Sequence, residues 1–452
     1  MKETSEMYLE KDQQYIWHAM GKKNSSFRPL IVEKAEGVWV EDVEQNRYID
    51  AMSGLWCVNI GYGREELVDA ASEQMKKMAY YPMSHSHVPA IELGEQLNNW
   101  LDGEYVIFFS NSGSEANEVA FKIARQFHHQ KGESGRYKIL SRYRSYHGNT
   151  MGALAATGQA QRKYKYEPLA NGFIHTVPPD CYHCPMNEKP ESCHFECAKM
   201  IDQTLTWELD ETVAAVIMEP MITGGGVLIP PEGYLQEVEK ICKRHGVLLI
   251  IDEVICGFGR TGEKFGFMHE GIKPDIITMA KGITSGYLPL AATAVKKEIF
   301  DAFSRSEQYE HFRHINTFGG NPAACALAIK NLELLEKEQM VQQSQKSGDY
   351  LGEEMKELYQ HPNVGDIRSK GLLMGIEFVE DKLTRKPIDV ACINQLITHC
   401  KEEGGVIIGK NGDTVAGFNN VLTLAPPLCI EKEELNTIIS AVKKAVKEVL
   451  IT

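Results

Sequence analysis

The sequence predicts an α/β protein: a mostly parallel sheet covered by helices through the middle of the chain, joined to a smaller α+β lobe beyond about residue 325. Three observations carry this expectation. Short apolar runs alternate with amphipathic segments at helical spacing, the runs are nearly continuous as in strands covered on both faces, and no repeat, low-complexity tract or long linker separates independent domains. The runs are YVIFFS (105–110), YKILS (137–141), VAAVIME (213–219), GVLLIID (246–252) and DIITMA (275–280). Between them lie helical segments such as 232–245, where Leu235, Val238, Ile241 and Cys242 recur on one face. Later, PAACALAIKNLELLEKEQ and EKEELNTIISAVKKAVKEVL read as long amphipathic helices flanking the strand candidates LLMGIEFVE, GVIIGK and VLTLAPP. Near the N-terminus, GVWVEDVEQNRYIDAMSG reads as a short β-meander that completes this lobe. The expected organisation is therefore 1–58 as an N-terminal segment joined to the small domain, 59–325 as the large domain and 326–452 as the small α+β domain.

Composition narrows the functional classes. A chain of 452 residues, 43% hydrophobic and 24% charged, buries a core large enough for two lobes. Its net charge of -14, without clustered Lys and Arg, argues against a nucleic-acid partner. The first twenty residues lack the apolar core of a secretory signal and no run reaches the length of a membrane span, so no membrane partner and a cytoplasmic location are expected. Most of the eleven cysteines, Cys57, Cys242, Cys256, Cys325 and Cys429 among them, sit in apolar segments and read as small core residues. The exception is CYHCPMNEKPESCHFEC. Its Cys181, Cys184, Cys193 and Cys197 supply the four thiolates of a tetrahedral zinc site, but the pairs lie closer together than in usual zinc modules, and a reduced cluster is the alternative; no metal is assigned.

In open α/β sheets ligands sit beyond the carboxyl ends of the strands, and four of these runs end in residues capable of chemistry. FFSNSGSEANEVAFKIAR passes from strand through a turn into an amphipathic helix. Ser112 and Glu115 have capping-box spacing, and Gly113 permits close backbone approach. With the Ser112 and Ser114 hydroxyls, the free amides of such a helix start make a phosphate cradle; the same residues equally describe a well-capped helix. SRYRSYHGNT sets Tyr146, His147 and Gly148 past the second run, an aromatic placed either to stack on a planar ligand or to pack within its loop. GVLLIIDEVICGFGRTG carries Asp252 and Glu253 out of an apolar strand, where a carboxylate must be paired or functional. Lys281 ends the last run. A lysine there is either exposed or used as an amine, because burial lowers its pKa. An amine, a carboxylate, an aromatic and a phosphate cradle at one sheet edge together describe a pyridoxal 5′-phosphate site: the lysine forms the Schiff base, the aspartate keeps the pyridine nitrogen protonated and the helix start holds the phosphate.

LLIIDEVICGFGRTGEKFGF, PDIITMAKGITSGYLPLAA, SNSGSEANEVAFKIAR and NTFGGNPAACA resemble the class III pyridoxal-phosphate aminotransferases of fold type I, over nearly the whole chain. The resemblance implies a large domain with a mostly parallel seven-stranded sheet plus a smaller α+β domain. It implies that Lys281 is the Schiff-base lysine and Asp252 the pyridinium partner, with Val254 and Tyr146 on opposite faces of the ring. Ser112, Gly113 and Ser114 match the phosphate loop, His147 follows the stacking tyrosine, and Glu219 matches a glutamate near the cofactor's oxygen. Thr317 matches a residue that reaches the phosphate from the neighbouring subunit, which implies a homodimer with shared active sites; the sequence does not distinguish a dimer from a tetramer of paired dimers.

Within the family, DQQYIWHAM, MSGLWCVNIGYGR, GQAQRKYKYEPLA, ITGGGVLIPPEGY and GKNGDTVAGFNNVLTLAPP are most similar to the taurine–pyruvate aminotransferases of the ω-amino acid–pyruvate branch. That likeness implies transfer of an amino group from taurine or β-alanine to pyruvate by a ping-pong mechanism. The stretch TVAGFNNVLTLAPP lacks the mobile arginine that many ω-transaminases carry there, so Arg162 is the candidate for the substrate's acid group, its alternative being a surface arginine in a basic loop. Trp56 matches a pocket aromatic that limits substrate size, or is a core tryptophan. The segment WHAM partly resembles the signature of adenosylmethionine–8-amino-7-oxononanoate aminotransferases, the second reading; a fold type I mutase, racemase or decarboxylase would also keep Lys281 and Asp252.

Overall fold

A computed structural model describes residues 5–21, 28–304, 308–411 and 415–450. Gly412, Asp413 and Thr414, within the quoted segment GKNGDTVAGFNN, lie outside the described residues. The central sheet has seven strands in the order Tyr105–Ser110, Ala291–Lys296, Ile276–Met279, Leu248–Asp252, Val213–Met218, Lys138–Arg142 and Phe173–Thr176. Ala291–Lys296 runs antiparallel to both its neighbours, and the remaining pairs are parallel. The α/β architecture inferred from the sequence is the one present.

Continuous apolar strands follow from this layering. Ala215, Ile217, Leu248, Ile250 and Ile276 face one layer, where Val119, Ala120, Ile123 and Ala124 of the helix Gly113–Gln130 meet them. Their neighbours Val216, Met218, Leu249, Ile251 and Ile277 face the other layer, with Leu235, Val238 and Ile241 of the helix Tyr234–His245. Each buried Val, Leu or Ile contributes about 1.5–3 kcal/mol, so both faces of the sheet reward apolar side chains at every position.

Two strands of the central sheet escaped the sequence reading, as did Val32–Glu36, Val364–Ser369 and Lys386–Pro387 outside it. Phe173–Thr176 is a four-residue edge strand with one buried residue, too short and too polar to stand out. Ala291–Lys296 is AATAVK, whose alanines have low β propensity and enter the sheet because two neighbours pair with them. GVIIGK, expected as one strand, divides: Val406–Ile407 pairs in parallel with Arg47–Asp50 of the N-terminal meander, and Gly409–Lys410 pairs with Val421–Leu424 in a second sheet. A Cβ on Gly409 would stand 2.5 Å from Met52 Cε and 2.7 Å from Thr423 Oγ1, so a larger residue there would displace the Met52 side chain.

Buried arginines tie the lobes together. Arg260, wholly buried in the loop after Leu248–Asp252, donates to the carbonyls of Leu372 and Pro426 and to Ser53 Oγ and Asn59 Oδ1. The cysteine segment forms a second bridge: Asp180 pairs with Arg144, and His183 Nε2 lies 2.6 Å from Glu377 Oε1 in the strand Met374–Asp381. Its cysteines are free thiols; burial pushes the Cys181 thiol up to about 11 and that of Cys197 to about 12. Among the described residues no group of three or more His, Cys, Asp or Glu is arranged to hold a metal ion, and no helix is long and apolar enough to cross a membrane.

The bridge makes a prediction. Burial by itself would raise the Glu377 carboxyl, but His183 and Arg368, the latter 2.8 Å away, outweigh it and hold the group at about 2, against an ordinary 4.5. A carboxyl with a depressed folded-state pKa contributes stability above pH 4.5 and loses it as pH falls toward 2, for a total of about 3 kcal/mol. Glu377→Gln should therefore unfold at lower denaturant than the parent at pH 7, with the gap closing between pH 5 and pH 2; a gap independent of pH would refute this.

Candidate active site

A cavity of about 420 Å³ opens at the carboxyl ends of the strands, within the range of small-ligand sites. Ser112, Gly113, Ser114, Tyr146, His147, Glu219, Asp252, Val254 and Lys281 line it together. Nine of the residues named from the sequence thus converge from five chain segments.

At one end, Ser112 caps the helix Gly113–Gln130, its hydroxyl accepting from the Glu115 N–H. The reciprocal half of the expected capping box is not made. Glu115 Oε2 instead accepts from the Asn111 N–H and side-chain amide, one residue earlier, because Ser112 is extended at the turn. The first-turn amides of Gly113 and Ser114 have no intrahelical acceptor. Space here is kept by glycine: a Cβ on Gly113 would stand 2.9 Å from Val254 Cγ2, and one on Gly148 2.5 Å from Ser114 Oγ. Backbone donors, hydroxyls and a helix dipole in a cleft without a side chain filling it suit a phosphate.

Deeper in, Asp252 is buried and doubly held. Its Oδ2 accepts from Asn117 Nδ2 and His147 Nδ1, each at 2.8 Å, and its Oδ1 from the Val254 N–H. Asn117 is oriented in turn: its amide also donates to the His147 carbonyl at 2.7 Å, and its oxygen accepts from Thr278 Oγ1 at 2.8 Å. Sequence reasoning missed Asn117 and Thr278. The signal was there, since each is a polar residue at a position where its helix or strand is otherwise apolar.

Lys281 begins the 3-10 turn Lys281–Ile283 at φ +48°, a conformation that costs a non-glycine residue energy and concentrates at functional sites. Burial pushes its amine below the usual lysine range, against the opposing pull of Asp252. Glu219, also buried, accepts from the Tyr146 N–H at 3.0 Å and from Thr223 N–H and Oγ1. Burial raises its carboxyl, Asp252 adds to the rise, and His147 and Thr223 work against it.

The remaining candidates lie around this centre. The ring of Trp56 is 6.0 Å from Lys281 Nζ, and its indole N–H is buried without a protein acceptor. Arg162 spreads its guanidinium 4.8 Å from the Tyr146 ring centre. Thr317 lies elsewhere: it is exposed, its carbonyl accepting from Tyr80 Oη.

A phosphate cradle, a carboxylate at the floor, flanking side chains of Tyr146 and Val254 and an amine of lowered pKa fit a pyridoxal phosphate in every donor type it needs. With the seven-stranded sheet, they define a pyridoxal-phosphate-dependent enzyme of the aminotransferase fold. The class-III aminotransferase family matches residues 20–446, and the chain belongs to that family. It is 63% identical over 436 residues to the uncharacterized aminotransferase YhxA of Bacillus subtilis, covering 96% of each chain. It is 41% identical to the taurine–pyruvate aminotransferase of Bilophila wadsworthia, covering 96% of this chain and 95% of that protein. An aminotransferase structure from Bacillus anthracis superimposes with a TM-score of 0.95 at 59% identity, over 98% of each chain.

Proposed function

We propose that this transaminase moves the amino group of a small ω-amino acid, with taurine or β-alanine favoured, to pyruvate, releasing an aldehyde and alanine by a ping-pong cycle in the cytoplasm. The observation that carries the substrate reading is Arg162. Arg162 does not itself line the cavity; its guanidinium lies on Tyr146, which does, and among the described residues it makes no ion pair with a carboxylate. A half-buried, uncompensated guanidinium beside a reaction centre is suited to grip a sulfonate or carboxylate. The identity to a taurine–pyruvate aminotransferase supports the same reading.

Within this proposal each residue has a stated task. Ser112, Gly113 and Ser114 would hold the phosphate, Val254 and Tyr146 would flank the ring, and Glu219 and His147 would lie beside it. The bound cofactor supplies the electron sink for the substrate carbanion. Asp252, oriented by Asn117 and His147, would keep the pyridine nitrogen of the cofactor protonated. Lys281 would hold the cofactor's aldehyde, and its amine of lowered pKa would serve as the base that moves the proton of the substrate carbon. Trp56 limits the length of the substrate. Thr317, exposed here and beside the exposed Tyr80 and Phe318, serves the phosphate of a second copy in a homodimer with shared sites.

A donor panel with pyruvate tests this: taurine, β-alanine, 4-aminobutyrate and S-adenosylmethionine, followed by alanine production. Taurine or β-alanine should lead, and Arg162→Leu should raise the KM for both the acidic donor and pyruvate by about ten- to a hundredfold, the worth of a hydrogen-bonded charge. Activity confined to S-adenosylmethionine with a keto-acid acceptor would replace this reading with the biotin-pathway aminotransferase.

A further inference from the structure

Gln159 stands between the cavity wall and the lobe junction, and its position has a consequence for substrate choice. It is wholly buried, directly before the short helix Ala160–Lys163, and its side chain does not cap that helix. Both ends of its amide are committed elsewhere. Nε2 donates to the Arg144 carbonyl at 2.9 Å, and Oε1 accepts from Arg162 Nε at 2.7 Å. A flipped amide would set N–H against N–H at Arg162 and oxygen against oxygen at Arg144, so the two partners leave one orientation. The Arg162 backbone N–H also binds the Gln159 carbonyl, at 3.1 Å, so the guanidinium is tied to Gln159 through both main chain and side chain. Gly224 passes over this amide: a Cβ there would lie 3.6 Å from Gln159 Nε2 and 3.9 Å from both Trp56 Cζ3 and Tyr146 Cβ. The next residue, Gly225, gives its carbonyl to the Arg144 guanidinium at 2.7 Å.

We infer that Gln159 is the positioning residue for acid recognition: it occupies the Nε edge of Arg162, fixes the guanidinium plane over Tyr146, and leaves the two-pronged edge, where Nη1 makes only a weak contact with the Met20 sulfur at 3.8 Å, for the acid group of the substrate, which displaces that contact. An arginine on a flexible stem loses about 2 kcal/mol of rotamer freedom on binding, and a buried tether settles that cost before the substrate arrives. Because donor and acceptor use the site in turn, one fixed guanidinium then serves both acids, the taurine or β-alanine group in one half-reaction and the pyruvate carboxylate in the other. This rests on Arg162 being the acid-binding group, as proposed above.

Holoenzyme kinetics test it, with ethanesulfonate as a non-reacting acid probe. Gln159→Leu should raise the KM for pyruvate and the inhibition constant of ethanesulfonate about tenfold each, while kcat at saturation stays within about twofold; the thermal midpoint falls as well, because the Arg144 carbonyl loses its buried partner, so the split between KM and kcat carries the test. Gln159→Glu should lose the acids at least as strongly, since its carboxylate would neutralise the guanidinium it holds. Gln159→Asn, too short to reach Arg162, should behave as the leucine variant does. Arg162→Leu is measured beside them. If it raises both constants and the Gln159 variants do not, the positioning role is wrong and the acid-binding role stands; if it raises neither, both fall. A fall in kcat and thermal midpoint with unchanged KM would mark Gln159 as structural only.

Discussion

Lys281→Ala should lower turnover by at least about a thousandfold, the upper range of what a positioned acid–base group contributes. Alanine leaves the cavity walls intact: the Asp252 cluster, Glu219 and the phosphate end make no hydrogen bond to the lysine amine. What disappears is the amine itself, held half-buried with its pKa lowered by desolvation. Borohydride treatment followed by peptide mass analysis should place the cofactor on Lys281 in the parent and on no lysine in the variant. A small exogenous amine should restore part of the proton transfer without restoring attachment. Label found on another lysine would remove Lys281 from its assigned role.

Asp252→Asn should lower the rate of the amino-donor half-reaction by about a hundred- to ten-thousandfold. Asparagine keeps the shape and, with its oxygen toward Asn117 and His147, still accepts from both, each now 2.8 Å from the carboxylate, but its amide then faces the Val254 N–H, so the charge is lost together with one backbone hydrogen bond. Removing that charge also relieves its upward push on Glu219. The discriminating measurement is single-turnover kinetics alongside cofactor affinity: a slow half-reaction with nearly unchanged affinity supports the role, whereas equal losses in both would make Asp252 a binding residue only. His147 bears on the same point, because its Nδ1–H donates to Asp252 while its buried Nε2 has no protein partner.

The residues legible in the sequence were those whose chemistry conflicts with their surroundings. Asp252 ends the all-buried strand Leu248–Asp252 and Lys281 follows the all-buried strand Ile276–Met279 by two residues, and a charge leaving such a strand is costly unless it is used. Ser112 and Gly113 were legible through local turn and capping chemistry, which acts within four residues. The capping box was only half right, because whether Ser112 or Asn111 supplies the N–H that donates to the Glu115 carboxylate depends on the turn's backbone path.

What the sequence by itself determined was the layered α/β architecture and the cofactor's covalent and electrostatic anchors, since periodicity and isolated charge in apolar runs are local properties of the chain. Only the tertiary structure decided how those anchors are oriented and what surrounds them. Asn117 meets Asp252 across 135 residues, Arg260 reaches Pro426 across 166, and GVIIGK is divided between two sheets by partners from opposite ends of the chain. Hydrogen bonds and strand pairings of that separation depend on which segments the fold brings within about 3 Å, and no local pattern encodes that distance.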